Sequence, residues 1–316
     1  MTDFVEYLTA KRTVDDRALD RRTWRRFVDT LTDAAGAPSP ADDGLGGSPD
    51  RPVRIVEVGA GVGSMLARLA AWETLPATVS YRGVDLESEA IAAAHDRVPG
   101  WLSDAGYAVD VDEDGRIVAT DPDGPTRIEA TFEVADAATV DDEADAVVAA
   151  AVLDVVDLDR MLPALRGCLR DGGVLYAPCT FDGGTGVSPA HPDDDRIERL
   201  YHRHMDEVRD LPGSSRAGRD LLERLPAHGY AVESVGGCDW VVRPHDGSYP
   251  HAEGAFLDHL LSTIDGALAD YSADVLDPDR RESWIAARRD QRARGELTLV
   301  AHHLDVLARV VPDDGD

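Results

Sequence analysis

The sequence predicts a doubly wound α/β fold, a parallel sheet with helices on both faces, from three observations. From Val53 onward short apolar runs alternate with amphipathic stretches of helical period. A glycine-rich turn, Gly59-Ala60-Gly61-Val62-Gly63, joins the first run to the first helix. Each run is of strand length and is followed by a helix long enough to carry the chain back across a sheet.

In chain order, residues 3–33 are expected to be helical: Phe4, Tyr7, Leu8, Leu19, Trp24, Phe27, Val28 and Leu31 recur at helical spacing with charges between. Residues 35–52, rich in Gly, Pro, Ser and Asp, are expected to form a flexible linker. Val53–Gly59 then reads as strand and Ser64–Glu73 as helix. Val79–Asp85 and Leu86–Val98 repeat the pattern. Tyr107–Ala119 has two β-like arms about an Asp-Gly turn, a hairpin insertion within about 105–131. Thr126–Asp136, Ala144–Asp154 and Gly172–Thr180 are the third to fifth parallel strands, with the helix Leu158–Gly173 before the last.

Residues 182–220 form a polar segment containing a helix, Arg196–Val208, expected on the substrate side. Another helix, Arg216–Gly229, leads to Tyr230–Gly237 and Cys238–Pro244, expected to pair as the final strands. Residues 245–316 are expected to be a helical extension in three pieces, the last being Glu296–Val311. The apolar stripe Phe256, Leu257, Leu260, Leu261, Ile264 and Leu268 suits a packed cover or the face of a homodimer.

Composition narrows the function. With 32 basic and 61 acidic residues the formal charge is −29. Lys11 is the only lysine, Gln291 the only glutamine, and asparagine is absent. This dispersed acidity, with arginine as nearly the sole cation, resembles proteins of halophilic archaea, where carboxylates keep a surface hydrated in salt. It weighs against nucleic acid as a partner, because phosphate contacts weaken steeply as salt rises. Mean hydropathy is −0.28, and no long uncharged apolar run suggests a membrane partner. Acids at the N-terminus are unlike an export signal, so a cytoplasmic protein is expected. Cys168, Cys179 and Cys238 are odd in number and lack a CxxC pair, which supports neither a disulfide framework nor structural zinc.

The chemistry-bearing motif is Glu57-x-Gly59-Ala60-Gly61-x-Gly63 at the turn from strand to helix, where glycine lets the backbone bend sharply and a ligand approach closely. Asp85 ends the second strand, at the carboxyl edge where open α/β sheets bind ligands, and can accept both hydroxyls of a ribose. Asp136-Ala137 ends the third. This combination, with the fourth strand AVVAAAVLDVVD, resembles the class I S-adenosylmethionine-dependent methyltransferases over about Val53 to Pro244.

That resemblance implies a Rossmann-like sheet of seven strands, mostly parallel with an antiparallel last strand, and S-adenosyl-L-methionine as cofactor. It implies that Glu57, Gly59, Ala60, Gly61 and Gly63 cradle the methionine portion and that Asp85 holds the ribose. Leu86 would flank the adenine, Asp136 and Ala137 would meet its amino edge, and Ala150 would touch the donor through backbone. Residues 1–34, with Lys11, Arg12 and Arg17, resemble the lid over the donor in members acting on small molecules. A NAD(P)-dependent oxidoreductase, an RNA or protein methyltransferase, and a non-catalytic donor-binding module remain alternatives.

A small-molecule acceptor must still lose a proton, and His202 and His204 on the substrate-side helix are the candidate bases, with His191, Asp239, Tyr249 and His251 behind them. Arg216, Asp239 and Trp240 are candidate walls of the substrate pocket. His191 and Asp193-Asp194-Asp195 have no metal-ligand spacing, so no metal is expected. Pro178-Cys179 resembles the catalytic cysteine site of RNA 5-methylcytosine enzymes. The companion Pro-Cys after the fourth strand is missing, which favours a buried structural thiol.

Overall fold

A computed structural model describes residues 4–36, 51–72, 75–210 and 212–312. Most of the expected linker, residues 37–50, lies outside the described residues. One sheet organises the chain: β1 (Val53–Val58), β2 (Thr78–Asp85), β3 (Ala108–Val111), β4 (Ile117–Thr120), β5 (Arg127–Val134), β6 (Ala144–Val148), β7 (Leu169–Ser188), β8 (Tyr230–Gly237), β9 (Trp240–Val242) and β10 (Thr298–Val310). Its order is β3-β4-β5-β2-β1-β6-β7-β10-β8, with β9 also paired to β10.

The seven-stranded frame is present as β5-β2-β1-β6-β7-β10-β8, parallel from β5 to β7, and three further strands bring the sheet to ten. Two are the expected hairpin, β3 and β4, laid antiparallel against β5. Between strands run α3 (Ser64–Trp72), α4 (Ser88–Asp104) and α5 (Leu158–Cys168). They are followed by α6 (Asp194–Arg203) and α7 (Ala217–Arg224). Because β1, β6 and β7 are covered on both faces, they read as nearly continuous apolar runs.

The C-terminal expectation is corrected. After α8 (Glu253–Ala269) and α9 (Pro278–Ala293), the stretch read as a third helix is β10, inserted antiparallel between β7 and β8. Its burial alternates, Leu299, Ala301, His303 and Asp305 inward, but two of those four are polar, so the apolar pattern of a strand was masked. For the same reason β8 and β9 do not pair with one another; each pairs with β10. The start of the segment expected at 182–220 also differs, since β7 continues to Ser188.

The N-terminal helix is two helices, α1 (Phe4–Ala18) and α2 (Arg21–Ala35). The break falls at Asp20, whose side chain caps α2 by accepting from the Thr23 amide at 2.8 Å. Asp305 reinforces the corner: one carboxylate oxygen takes the Asp20 amide at 2.8 Å, the other the Cys179 amide at 2.9 Å. α2 buries Trp24, Phe27 and Leu31 on the sheet, with Phe27 stacked on Tyr176 at 4.5 Å. Each such side chain contributes roughly 1.5–3 kcal/mol by leaving water.

Three apolar cores result: one on each face of the sheet, and a third where α1, α6, α8 and α9 close over its carboxyl edge. The stripe Phe256, Leu257, Leu261, Ile264 and Leu268 is buried in that third core, as a cover within the chain. Among the described residues no helix is long and apolar enough to cross a membrane.

Candidate active site

The glycine turn leaves β1 with three residues in the left-handed region, φ 66° at Gly59, 53° at Gly61 and 79° at Gly63. A Cβ on Gly63 would lie 2.4 Å from Val98, and one on Gly61 3.2 Å from Leu8 of α1. Side chains at these points would be strained and crowded, so glycine is required both for the bend and for the approach of α1.

Asp85 pins this turn from β2: one carboxylate oxygen accepts the Gly61 amide at 2.8 Å and the other the Glu87 amide at 3.0 Å. Each oxygen keeps a further lone pair for a ligand hydroxyl. Beside it Leu86 leaves 68% of its surface open, an apolar face at the carboxyl edge. Asp136 caps the short turn Ala137–Thr139 through the Ala138 amide at 2.9 Å and lies 3.6 Å from Arg160. The carboxyl ends of β1, β2 and β5 therefore bring Glu57, Asp85 and Asp136 to one edge of the sheet.

A cleft over the turn is lined by Glu57, Gly59, Ala60, Gly61, Ala150 and, from α1, Lys11. Glu57 is buried and receives the Tyr81 hydroxyl; burial pushes its carboxyl up to about 8, against the lowering pull of that bond and of Arg68. Arg68 is itself buried and ion-paired to Asp16 of α1 at 2.7 Å, with its Nη2 enclosed and unpartnered. Lys11 pairs with Asp15 at 2.8 Å, and Asp15 also accepts the indole N–H of Trp240 at 3.0 Å.

Past Lys11 lies a second cavity, of about 310 Å3, between α1, β7, β10, α6 and α8. Phe4, Tyr7, Phe181, Tyr201 and Trp240 supply aromatic walls, while Asp154, Arg209, His259 and His303 supply its charged and imidazole groups. Trp240 thus stands where a pocket wall was expected. Burial raises the Asp154 carboxyl and the Tyr201 phenol, the latter to about 12, and lowers His303 to about 4.

Other expectations fail on placement. His204 does not line the cavity; it bonds Asp270 at 2.8 Å where α6 passes into a π turn. Arg216 is an exposed residue at the start of α7. Asp239 is exposed and bonds His302 at 2.7 Å, because it alternates in direction with Trp240. His202 lies beside the cavity rather than lining it, with its ring bonded to Thr185 at 3.1 Å and set edge-on to Phe181. Tyr249 donates to the Leu297 carbonyl at 2.8 Å. Cys179 and Cys238 are buried with sulfurs 3.0 Å apart, and Asp305 beside them is spent on two amides, an arrangement that suits structural thiols. His303, Asp154 and Arg209 were missed: His303 sat in the stretch read as helix, and nothing in the residue pattern ties the other two to a cavity.

Residues 56–175, less than half of the chain, match a family model described as a methyltransferase domain. Solved structures similar to this chain include a protein of proposed methyltransferase activity from Bacillus halodurans, 12% identical over 90% of this chain and 99% of that one, TM-score 0.47. A SAM-dependent methyltransferase from Methanosarcina mazei is 15% identical over 83% and 94%, TM-score 0.42. The cyclase SpnF is 17% identical over 90% and 81%, TM-score 0.40. No curated protein matches the chain in sequence.

The matched segment is a methyltransferase domain, with S-adenosylmethionine as its cofactor. The residues present fit that group. The turn excludes side chains, Asp85 has lone pairs to spare, and the buried Arg68 has an N–H without a partner.

Proposed function

We propose that the chain transfers the methyl group to a small molecule held in the second cavity, in a cytoplasmic setting at high salt, without nucleic acid or membrane as partner. The observation that carries this is the division made by α1. Leu8, Lys11 and Asp15 line the cleft over the glycine turn, while Phe4 and Tyr7, on the same helix, line the second cavity. Two neighbouring sites, one suited to the donor and one walled by aromatic rings, are what group transfer to a small acceptor requires, since such catalysis is mostly alignment.

When bound, S-adenosylmethionine supplies a methyl group activated on a sulfonium. The chain's own residues do the rest. Gly59, Gly61 and Gly63 let the backbone approach the methionine portion, with Ala60 and Ala150 along it and Glu57 towards its ammonium. Asp85 holds the ribose hydroxyls, with Leu86, Asp136 and Ala137 around the base. α1 excludes water from both sites through Leu8 and Tyr7. Incubating the protein with a metabolite extract and isotopically labelled donor, followed by mass spectrometry, tests the reading. A labelled product of low mass supports it; label found only in protein or RNA overturns it.

A further inference from the structure

One histidine of the second cavity is held in a single orientation. His303 is 2% exposed, with its ring 4.1 Å from the Trp240 ring and 5.3 Å from Phe181 between centres. Its carbonyl accepts the Cys238 amide at 2.9 Å, and two residues on Asp305 clamps the Asp20 and Cys179 amides, so the backbone beneath the ring is fixed too. Burial lowers the ring to about 4, which leaves it neutral at physiological pH. Nδ1 lies 3.0 Å from the Ala301 carbonyl, which can only accept, so Nδ1 carries the one proton. Nε2 is left with a bare lone pair. It has no partner among the described residues and is not sealed in as Asp154 Oδ1 and Arg209 Nε are, so it opens on the cavity.

The other groups there are less able to take a proton from a bound molecule. Burial raises the Tyr7 and Tyr201 phenols, which keep their own protons. Lys11 and Arg209 both favour the charged form of Asp154, and neutralising it would leave the Arg209 charge uncompensated in the cavity wall. Of the two histidines, His259 stacks on Tyr7 at 4.0 Å, whereas His303 lies against Trp240. The Trp240 indole bonds Asp15 and carries Lys11 over its face, and both of these line the donor cleft. A charge on His303 is also tolerable: the indole face favours a cation, and Asp15 opposes the effect of Lys11. Methyl transfer removes the sulfonium charge as the imidazolium forms, so the site keeps its net charge.

We infer that His303 receives the acceptor's proton: a molecule in the second cavity points an O–H or N–H at Nε2, and the proton moves there as the methyl group arrives. The acceptor atom bonds the methyl carbon through a lone pair and keeps the electrons of its former bond to hydrogen. The electrons of the broken C–S bond stay on sulfur. The imidazolium gives its proton to water once the product leaves. The inference rests on the proposed small-molecule transfer and supplies the base of that reaction.

A binding measurement free of turnover comes first. The full chain, saturated with S-adenosylhomocysteine, is titrated calorimetrically with 2-naphthol and with 2-methoxynaphthalene, which differ in the proton offered to Nε2. The wild type should favour 2-naphthol by about fivefold, as one hydrogen bond contributes, and His303→Phe should lose that preference. The second measurement is the initial rate of label transfer from donor into low-mass products of a metabolite extract. His303→Ala should slow it by roughly a hundredfold with S-adenosylhomocysteine affinity unchanged. Added imidazole should restore part of that rate and leave the wild type as it was, a rescue that a merely structural role would not give. Absence of a 2-naphthol preference in the wild type, silence with both probes included, overturns the inference. So does a preference that persists in a folded His303→Phe, or a folded His303→Ala that transfers at the wild-type rate or is not rescued. Label confined to protein or RNA overturns the proposed function, and this inference falls with it. The wild-type ranking needs no substitution, so it decides the matter even if the variants fail to fold.

Discussion

The ammonium of Lys11 lies 5.0 Å from the centre of the Trp240 ring, so the chain's one lysine ties the N-terminal helix to the wall of the second cavity. Arginine serves nearly everywhere else as the cation. Here a slim, unforked charge fits between Asp15 and an indole, where a guanidinium would need more room and more partners.

Lys11→Met should therefore destabilise the protein by about 3 kcal/mol, as expected when one member of a buried pair is lost. Adding Asp15→Asn should recover part of that loss, since the stranded charge is then removed. Urea unfolding of the wild type and the two variants reads both effects. A Lys11→Met change within about 0.5 kcal/mol, the range of ordinary surface substitutions, would show that the pair contributes little.

Glu57 gives stability a pH dependence of known sign. Its carboxyl, ordinarily near 4.5, is raised to about 8 in the folded chain, chiefly by burial. Between those values the native state holds one proton more than the unfolded state. This contribution is fully present below 4.5 and is lost as pH rises towards 8, at up to about 1.4 kcal/mol per pH unit. Glu57→Gln should abolish that slope and be more stable than wild type at pH 8. Parallel stability curves for the two proteins from pH 5 to 8 would contradict the assignment.

His303 acts in the opposite sense. Burial lowers it from 6.5 to about 4, so between those values the unfolded state binds the extra proton. Its contribution is present above pH 6.5 and is lost as pH falls to 4. Relative to wild type, His303→Phe should lose less stability on acidification across that window, measured by denaturant unfolding at half-unit steps. A steeper acid loss in the variant would mean that the ring is charged in the folded chain.

The thiols should behave as packing groups. Cys168, Cys179 and Cys238 are 1%, 3% and 0% exposed, and burial pushes Cys168 up to about 11. Ellman's reagent should find no fast-reacting thiol in the native protein and three after unfolding. Rapid native reaction of Cys179 would revive a nucleophilic role for it.

The proposed donor half of the site was legible as a candidate because its signals are local. Glycines are needed at a strand-to-helix turn, and acids end successive strands, so residue type and spacing alone singled out Glu57, the three glycines, Asp85 and Asp136 as candidates. The proposed acceptor half was not, because the second cavity is assembled from α1, β7, β10, α6 and α8, segments separated by up to three hundred residues. His303 shows why most sharply. Its burial on β10 replaces an apolar residue in the alternation, so the property that suits it to a ligand also disguised its strand. Trp240 was found because a large aromatic beside a strand boundary is conspicuous, whereas its neighbour Asp239 projects to the opposite side.

The central claim is that the glycine turn and Asp85 together hold S-adenosylmethionine. Calorimetric titration of S-adenosylhomocysteine into the wild-type chain and into Asp85→Ala tests it most directly. Saturable binding to the wild type is predicted, weakened in the variant by tenfold or more, about 1.4 kcal/mol, with the variant still folded. No heat from S-adenosylhomocysteine alongside binding of NAD, or equal affinity in the two proteins, would contradict the claim.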